Sequence, residues 1–106
     1  MKNVIIRCGI TDNYSGSFKI CMTQIFEHLS DFVGGGFMCD GQGRFKGNND
    51  KFAKCMDFYM EEDKLVEFIQ QTEDIFNKIR PMSVEFVSVK VYDVETRSFR
   101  IGDNNE

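Results

Sequence analysis

The sequence is poor in the residues that most often mark chemistry. It has one histidine, one proline and no tryptophan in 106 residues. Nucleophilic catalysis needs an activated hydroxyl or thiol with a base in reach, and His28 is the only imidazole on offer. Cys8, Cys21, Cys39 and Cys55 contain no C-x-x-C pair, so the local ligand spacing of a structural zinc site is missing. They are expected to be reduced thiols, mostly buried, because free cysteine behaves as a small apolar residue. No apolar run approaches the roughly 20 residues that span a bilayer. The start, MKNVIIRCGITDN, meets Arg7 too early for a signal core. These features lead us to expect a cytoplasmic chain with no membrane partner. A basic surplus is also lacking: the formal net charge is −4, which disfavours nucleic acid as a partner.

What the sequence does have is apolar periodicity. Apolar residues make up 42% of it and eleven are Phe, enough for one core in a domain spanning residues 1–101, with 102–106 a loose tail. Val4, Ile6 and Cys8 alternate as in a strand, and Ile5 adds apolar character to its other face. Ser17 is placed to cap a helix whose stripe is Phe18, Met22, Ile25, Leu29 and Phe32, ended by three glycines from Gly34. Residues 36–39 and 44–46 could form a hairpin around GQG, and GNND reads as a turn. In 52–60, Phe52, Met56, Phe58 and Met60 share one parity, as in a strand.

Glu61, Glu62 and Asp63 put negative charge at a helix start, where the macrodipole favours it. The buried stripe of that helix is Leu65, Phe68, Ile69, Thr72, Ile75, Phe76 and Ile79, and Pro81 stops it. SVEFVSVKVYDV is a strand whose apolar parity switches after Phe86, through a bulge or because both faces are covered. Phe99 and Ile101 suggest a last edge strand. The economical assembly is α+β: a ferredoxin-like, split βαβ antiparallel sheet with two helices on one face and an extra C-terminal strand.

Residues 33–47, VGGGFMCDGQGRFKG, hold six of the nine glycines. Glycine serves turns that need positive φ. It also bares main-chain N–H groups, which can form an anion-binding nest. Arg44 offers a planar fork to phosphate, Lys46 a point charge, and Phe45 a ring for a base. Gly41 and Gly43 would let a ligand approach, while Asp12 and Asn13, after the first strand, could read a ribose or base. The segment is not a Walker A loop, since Gly47 follows Lys46 where Ser or Thr is required. The acidic trio at 61–63 and His28 read more simply as helix-start and surface residues than as an acid–base set, so no enzyme and no cofactor are expected.

The order IIRCGITDN, a helix from Phe18, GGGFMCDGQGRF, KFAKCMDFYM, a helix from Asp63 and SVEFVSVKV resembles the bacteriophage anti-Thoeris sponge proteins. The resemblance runs over about residues 4–91. It implies a non-enzymatic homo-oligomer of viral type. Such a protein sequesters cyclic ADP-ribose isomers or cyclic oligonucleotides between subunits, with Arg44 and Phe45 in the binding hairpin. The chain departs from the family in FAKCMDF, where a Glu-Asn pair is usual, and in Arg80-Pro81-Met82, where the family has an Asn-Gln-Glu turn. The alternative reading is a protein–protein inhibitor or adaptor of phage or mobile-element type, such as an inhibitor of CRISPR or another defence system. It would offer an edge strand, residues 97–101, to a protein partner.

Overall fold

The computed structural model describes residues 1–10, 15–45, 47–49, 52–79 and 87–95. In chain order they form β1 (Lys2–Ile10), α1 (Ser15–Val33), β2 (Phe37–Gly41), β3 (Arg44–Phe45), β4 (Asn48–Asn49), β5 (Phe52–Met60), α2 (Glu62–Ile79) and β6 (Val87–Asp93). Four strands make an antiparallel-paired sheet in the order β2-β5-β1-β6. β1 and β2 both run antiparallel to β5, so β1-α1-β2 is a crossover that skips one strand, and β5-α2-β6 is its counterpart. Two interleaved crossovers of this kind define the ferredoxin-like fold. β3 and β4 form a separate two-stranded hairpin inserted between β2 and β5.

Strand parity decides which residues meet the helices, because alternate side chains take opposite faces. Val4, Ile6 and Cys8 of β1 and Met56, Phe58 and Met60 of β5 are buried beneath α1 and α2. From α1, Phe18, Met22, Ile25 and Leu29 are fully buried, and from α2, Phe68, Thr72 and Phe76 are buried. Thr72 hides its hydroxyl by donating to the Phe68 carbonyl at 2.8 Å. The phenyl ring of Phe58 joins the layers. Its centroid lies 5.8 Å from that of Phe26 in α1 and 5.1 Å from that of Phe68 in α2. Gly36 lets the chain enter β2 across this ring. A Cβ there would stand 2.7 Å from two Phe58 ring carbons, inside any real contact.

Several expectations change in detail. α1 begins at Ser15, two residues before the Ser17 cap, because the apolar stripe locates the first buried residue and not the first helical turn. The helix closes with the Gly34 N–H donating to the Ser30 carbonyl at 2.8 Å. Arg44 and Phe45 do not return against β2. Instead β2 pairs with β5, and Arg44 and Phe45 pair with Asn49 and Asn48. The reason lies in the buried face: β5 sets Met56 beside Met38 under α1, whereas 44–46 would place Arg44 and Lys46 on a shared face. The turn expected in GNND gives way to β4, with Gly47 at φ 80 turning the chain between β3 and β4. β6 runs in unbroken register with β1, from Cys8 opposite Val87 to Lys2 opposite Asp93. Val84, Phe86, the strand at Phe99 and Ile101, and the tail at 102–106 lie outside the described residues.

The other face of the sheet carries rows read across the strands. Tyr59, Asn3 and Tyr92 form one row; Phe37, Asp57, Ile5 and Lys90 the next; Cys39, Cys55, Arg7 and Ser88 the third. No described helix covers this face. Asn3 donates to the Asp57 carboxylate and to the Phe58 carbonyl, linking β1 to β5 through its side chain. No described helix is long and apolar enough to cross a membrane.

Phe58→Ala should lower the unfolding free energy by about 3–5 kcal/mol. Gly36→Ala should cost about 1–3 kcal/mol through overpacking against the same ring. Gly41→Ala, whose added Cβ meets nothing within 4 Å, should stay within about 0.5 kcal/mol of the parent. Urea unfolding followed by circular dichroism measures all three. Equal effects at positions 36 and 41 would contradict the ring contact.

Candidate functional site

The sheet register sets the second half of the glycine-rich segment, from Gly41, at one end of the fold, while Gly34, Gly35 and Gly36 lie at the other end of β2. Gly9 of β1, Ala53 of β5 and Gly41 of β2 lie in one row across three strands. The chain leaves β1 for α1 just beyond that row, and it leaves β2 for the β3–β4 hairpin there as well. The hairpin's return also enters β5 there. Segments far apart in sequence therefore share one edge of the molecule.

Among the residues singled out, Gly41 ends β2 and is exposed, Gly43 is half-buried, and Arg44 is exposed in β3. Phe45 lies in β3 with its backbone paired to Asn48. Lys46, Asp12 and Asn13 fall outside the described residues. The structure thus sets Gly41, Gly43, Arg44 and the Phe45 backbone along one connection. A groove among the described residues lies elsewhere, between α2 and β6, with about 320 Å³ of space bordered by Thr72, Glu73, Phe76, Val87 and Val89.

Beside the row sits an ion pair that sequence reasoning missed. Lys54 and Asp40 are register partners on the helix-side face, and the Lys54 ammonium donates to the Asp40 carboxylate. The hydrogen bond from Lys54 holds the Asp40 carboxyl below its ordinary range. The Lys54 charge adds to this, desolvation opposes it, and Lys19 contributes weakly. Lys54 falls on the same parity as Phe52, Met56, Phe58 and Met60, and a pairing of Asp40 with it needs the β2–β5 register. At the opposite end of the sheet Lys2 pairs with Asp93 and reaches Glu62 at 3.9 Å.

The remaining candidates for chemistry are dispersed. His28 is exposed, and its Nε2 lies 3.1 Å from the Gln71 side-chain oxygen, bridging α1 and α2. Among the described residues no group of three or more His, Cys, Asp or Glu could hold a metal ion. None of the four cysteines is bridged to another, and only Cys8 is buried; Cys21 and Cys55 are half-buried and Cys39 is exposed. The expectation of mostly buried thiols fails because β2 is an edge strand and the odd-numbered residues of β2 and β5 take the face without helices.

This arrangement is a ferredoxin-like α+β frame with a cationic, glycine-rich hairpin at one end. No protein-family model matches the chain, and no curated protein matches it in sequence. Solved structures do share its fold. The de novo designed protein Foldit4 superposes with a TM-score of 0.56 at 11% identity, covering 89% of this chain and 98% of the design. A mutant of SnoaB, a cofactor-independent oxygenase from Streptomyces nogalater, gives 0.55 at 8% identity over 91% of this chain and 95% of its own. The protein At3g17210 from Arabidopsis thaliana gives 0.52 at 11% identity, with 93% and 100% covered. A designed protein and an oxygenase on one frame illustrate that the fold leaves function open.

Because the folded Asp40 carboxyl lies below its ordinary range, its stabilising contribution is present above the unfolded value. That contribution is lost as pH falls through the lowered folded value. An NMR titration of the Asp40 carboxyl should show a midpoint below that of ordinary aspartate, and Lys54→Met should move it upward. An unchanged midpoint in the variant would mean that another group holds the carboxylate ionised.

Proposed function

We propose that the chain is a non-enzymatic binding protein that sequesters a small anionic nucleotide, of the cyclic nucleotide or cyclic ADP-ribose type, at the hairpin end of the sheet. The observation that carries this reading is the row Gly9–Ala53–Gly41, which brings the β1–α1 connection and the β3–β4 hairpin to one edge. Arg44 is exposed on that hairpin. It supplies a bidentate donor for a phosphate. Lys46 adds a second cation, Phe45 a stacking ring, and Gly41 and Gly43 a close main-chain approach. Asp12 and Asn13, which lie between β1 and α1 in the sequence, would recognise ribose or base. The 19-residue α1 starts at this end, and its N-terminal dipole favours negative charge. A second copy of the chain would complete the pocket, so the binding form is a homo-oligomer. Sequestration of an immune signal would make it a viral counter-defence sponge in the cytoplasm.

The alternative, an inhibitor or adaptor that binds a protein, has one observation of its own. β2 is an outer strand of the described sheet, and Phe37 on it is 77% exposed. An edge strand with a protruding ring suits β-augmentation by a partner chain. The edge strand expected at residues 97–101 lies outside the described residues.

Titration calorimetry against cyclic ADP-ribose isomers and cyclic oligonucleotides tests the proposal. One member of the panel should bind without being consumed, and native mass spectrometry should show ligand held by an oligomer. Arg44→Ala should weaken that binding about 10- to 100-fold, the value of one charge-assisted contact, with an unchanged unfolding midpoint. Turnover of the ligand, or equal affinity in the variant, would reject the reading.

A further inference from the structure

Cys39 and Cys55 are far apart in sequence, yet the register sets them directly opposite each other on β2 and β5. Both point to the face without helices, since their neighbours Met38 and Met56 pack against the core on the other side. Opposed residues of an antiparallel pair have Cα atoms about 4.5–5.5 Å apart, within the roughly 4.4–6.8 Å that a disulfide spans. Their Cβ atoms lie about 4.5–5.5 Å apart, at or just beyond the roughly 3.5–4.5 Å of bridged cysteines. A small closure of the edge strand is enough to join them. Cys39 is exposed and Cys55 half-buried, so an external reagent reaches one thiol and the second stands behind it.

We propose that Cys39 and Cys55 form a reversible cross-strand dithiol–disulfide switch that exchanges with small-molecule disulfides of the glutathione class. The Cys39 thiolate attacks one sulfur of oxidised glutathione, forming a mixed disulfide and releasing one glutathione thiolate. The Cys55 thiolate then attacks the Cys39 sulfur, forms the Cys39–Cys55 bond and releases the second glutathione thiolate. Two protein thiols are oxidised, one glutathione disulfide is reduced, and the two protein protons end on the two glutathione products. Arg7, opposite Cys55 in the same row and exposed, gives the acidic peptide a cation to approach. The product bond ties edge strand β2 to β5 two residues before Gly41 and closes a loop around the whole β3–β4 hairpin. Oxidation therefore fixes the root of the hairpin. The switch does not depend on what the hairpin binds. Bridges at such exposed, edge-strand positions fall in the labile class rather than the structural one.

The test is to equilibrate the full-length reduced protein with graded ratios of oxidised to reduced glutathione. The thiols titratable after denaturation should fall from four to two. Peptide mapping without reduction should link Cys39 to Cys55 within a monomer, and reductant should restore all four. Cys39→Ser and Cys55→Ser should each abolish the linkage, while Cys21→Ser leaves it unchanged. A Cys55→Ser chain should instead stop at a stable glutathione adduct on Cys39. The proposal is overturned if the parent protein stops at that adduct, if the bond joins two copies of the chain, or if Cys21 is one of the linked residues.

Discussion

The fold depends on one packing arrangement, the Phe58 ring wedged between three neighbours. Phe26 and Phe68 meet it from the two helices, and Gly36 leaves the space that a Cβ would fill. Protein interiors are packed as densely as organic crystals, so this contact fixes distances rather than merely favouring burial. It sets how closely both helices approach β5 and where the chain turns from α1 into β2. Once β2 is laid against β5, the registers of Cys39 with Cys55 and of Asp40 with Lys54 follow.

The two faces of the sheet have different roles because of that packing. The even-numbered side of β1 and β5 is consumed by the core. The odd-numbered side is left with tyrosines, charges and thiols in ordered rows. Beyond Gly9, Ala53 and Gly41 the chain passes into the connections to α1 and to the β3–β4 hairpin. Variable chemistry concentrates in such places, since loops on a rigid frame can change without disturbing burial. Both the proposed anion site and the proposed thiol switch lie outside the core, and the second sits at the root of the first.

Much of the fold was legible in the sequence. The stripe Phe18, Met22, Ile25 and Leu29 identifies α1, and every one of the four is fully buried. The parity of Met56, Phe58 and Met60 identifies β5 and its buried face, and the acidic start of α2 marks that helix to within a residue. Together these elements led to the ferredoxin-like arrangement. The site was less legible. Arg44 and its glycines could be named, but the β2 partner was misassigned, because a nearby segment with turn residues competes on paper with a distant strand. The Lys54–Asp40 pair and the facing cysteines carried no local signal, since each joins residues on different strands.

By itself, then, the sequence determined the elements, their buried faces and the class of fold, because helix and strand periods are local properties written in the spacing of apolar residues. Only the tertiary structure decided that Arg44 and Phe45 fold back on Asn48 and Asn49 rather than on β2. It alone set Cys39 opposite Cys55 and brought Gly9, Ala53 and Gly41 into one row. Strand partners are chosen by which neighbour buries the most apolar surface against the helices, a comparison made across the whole chain and invisible in any one window of it.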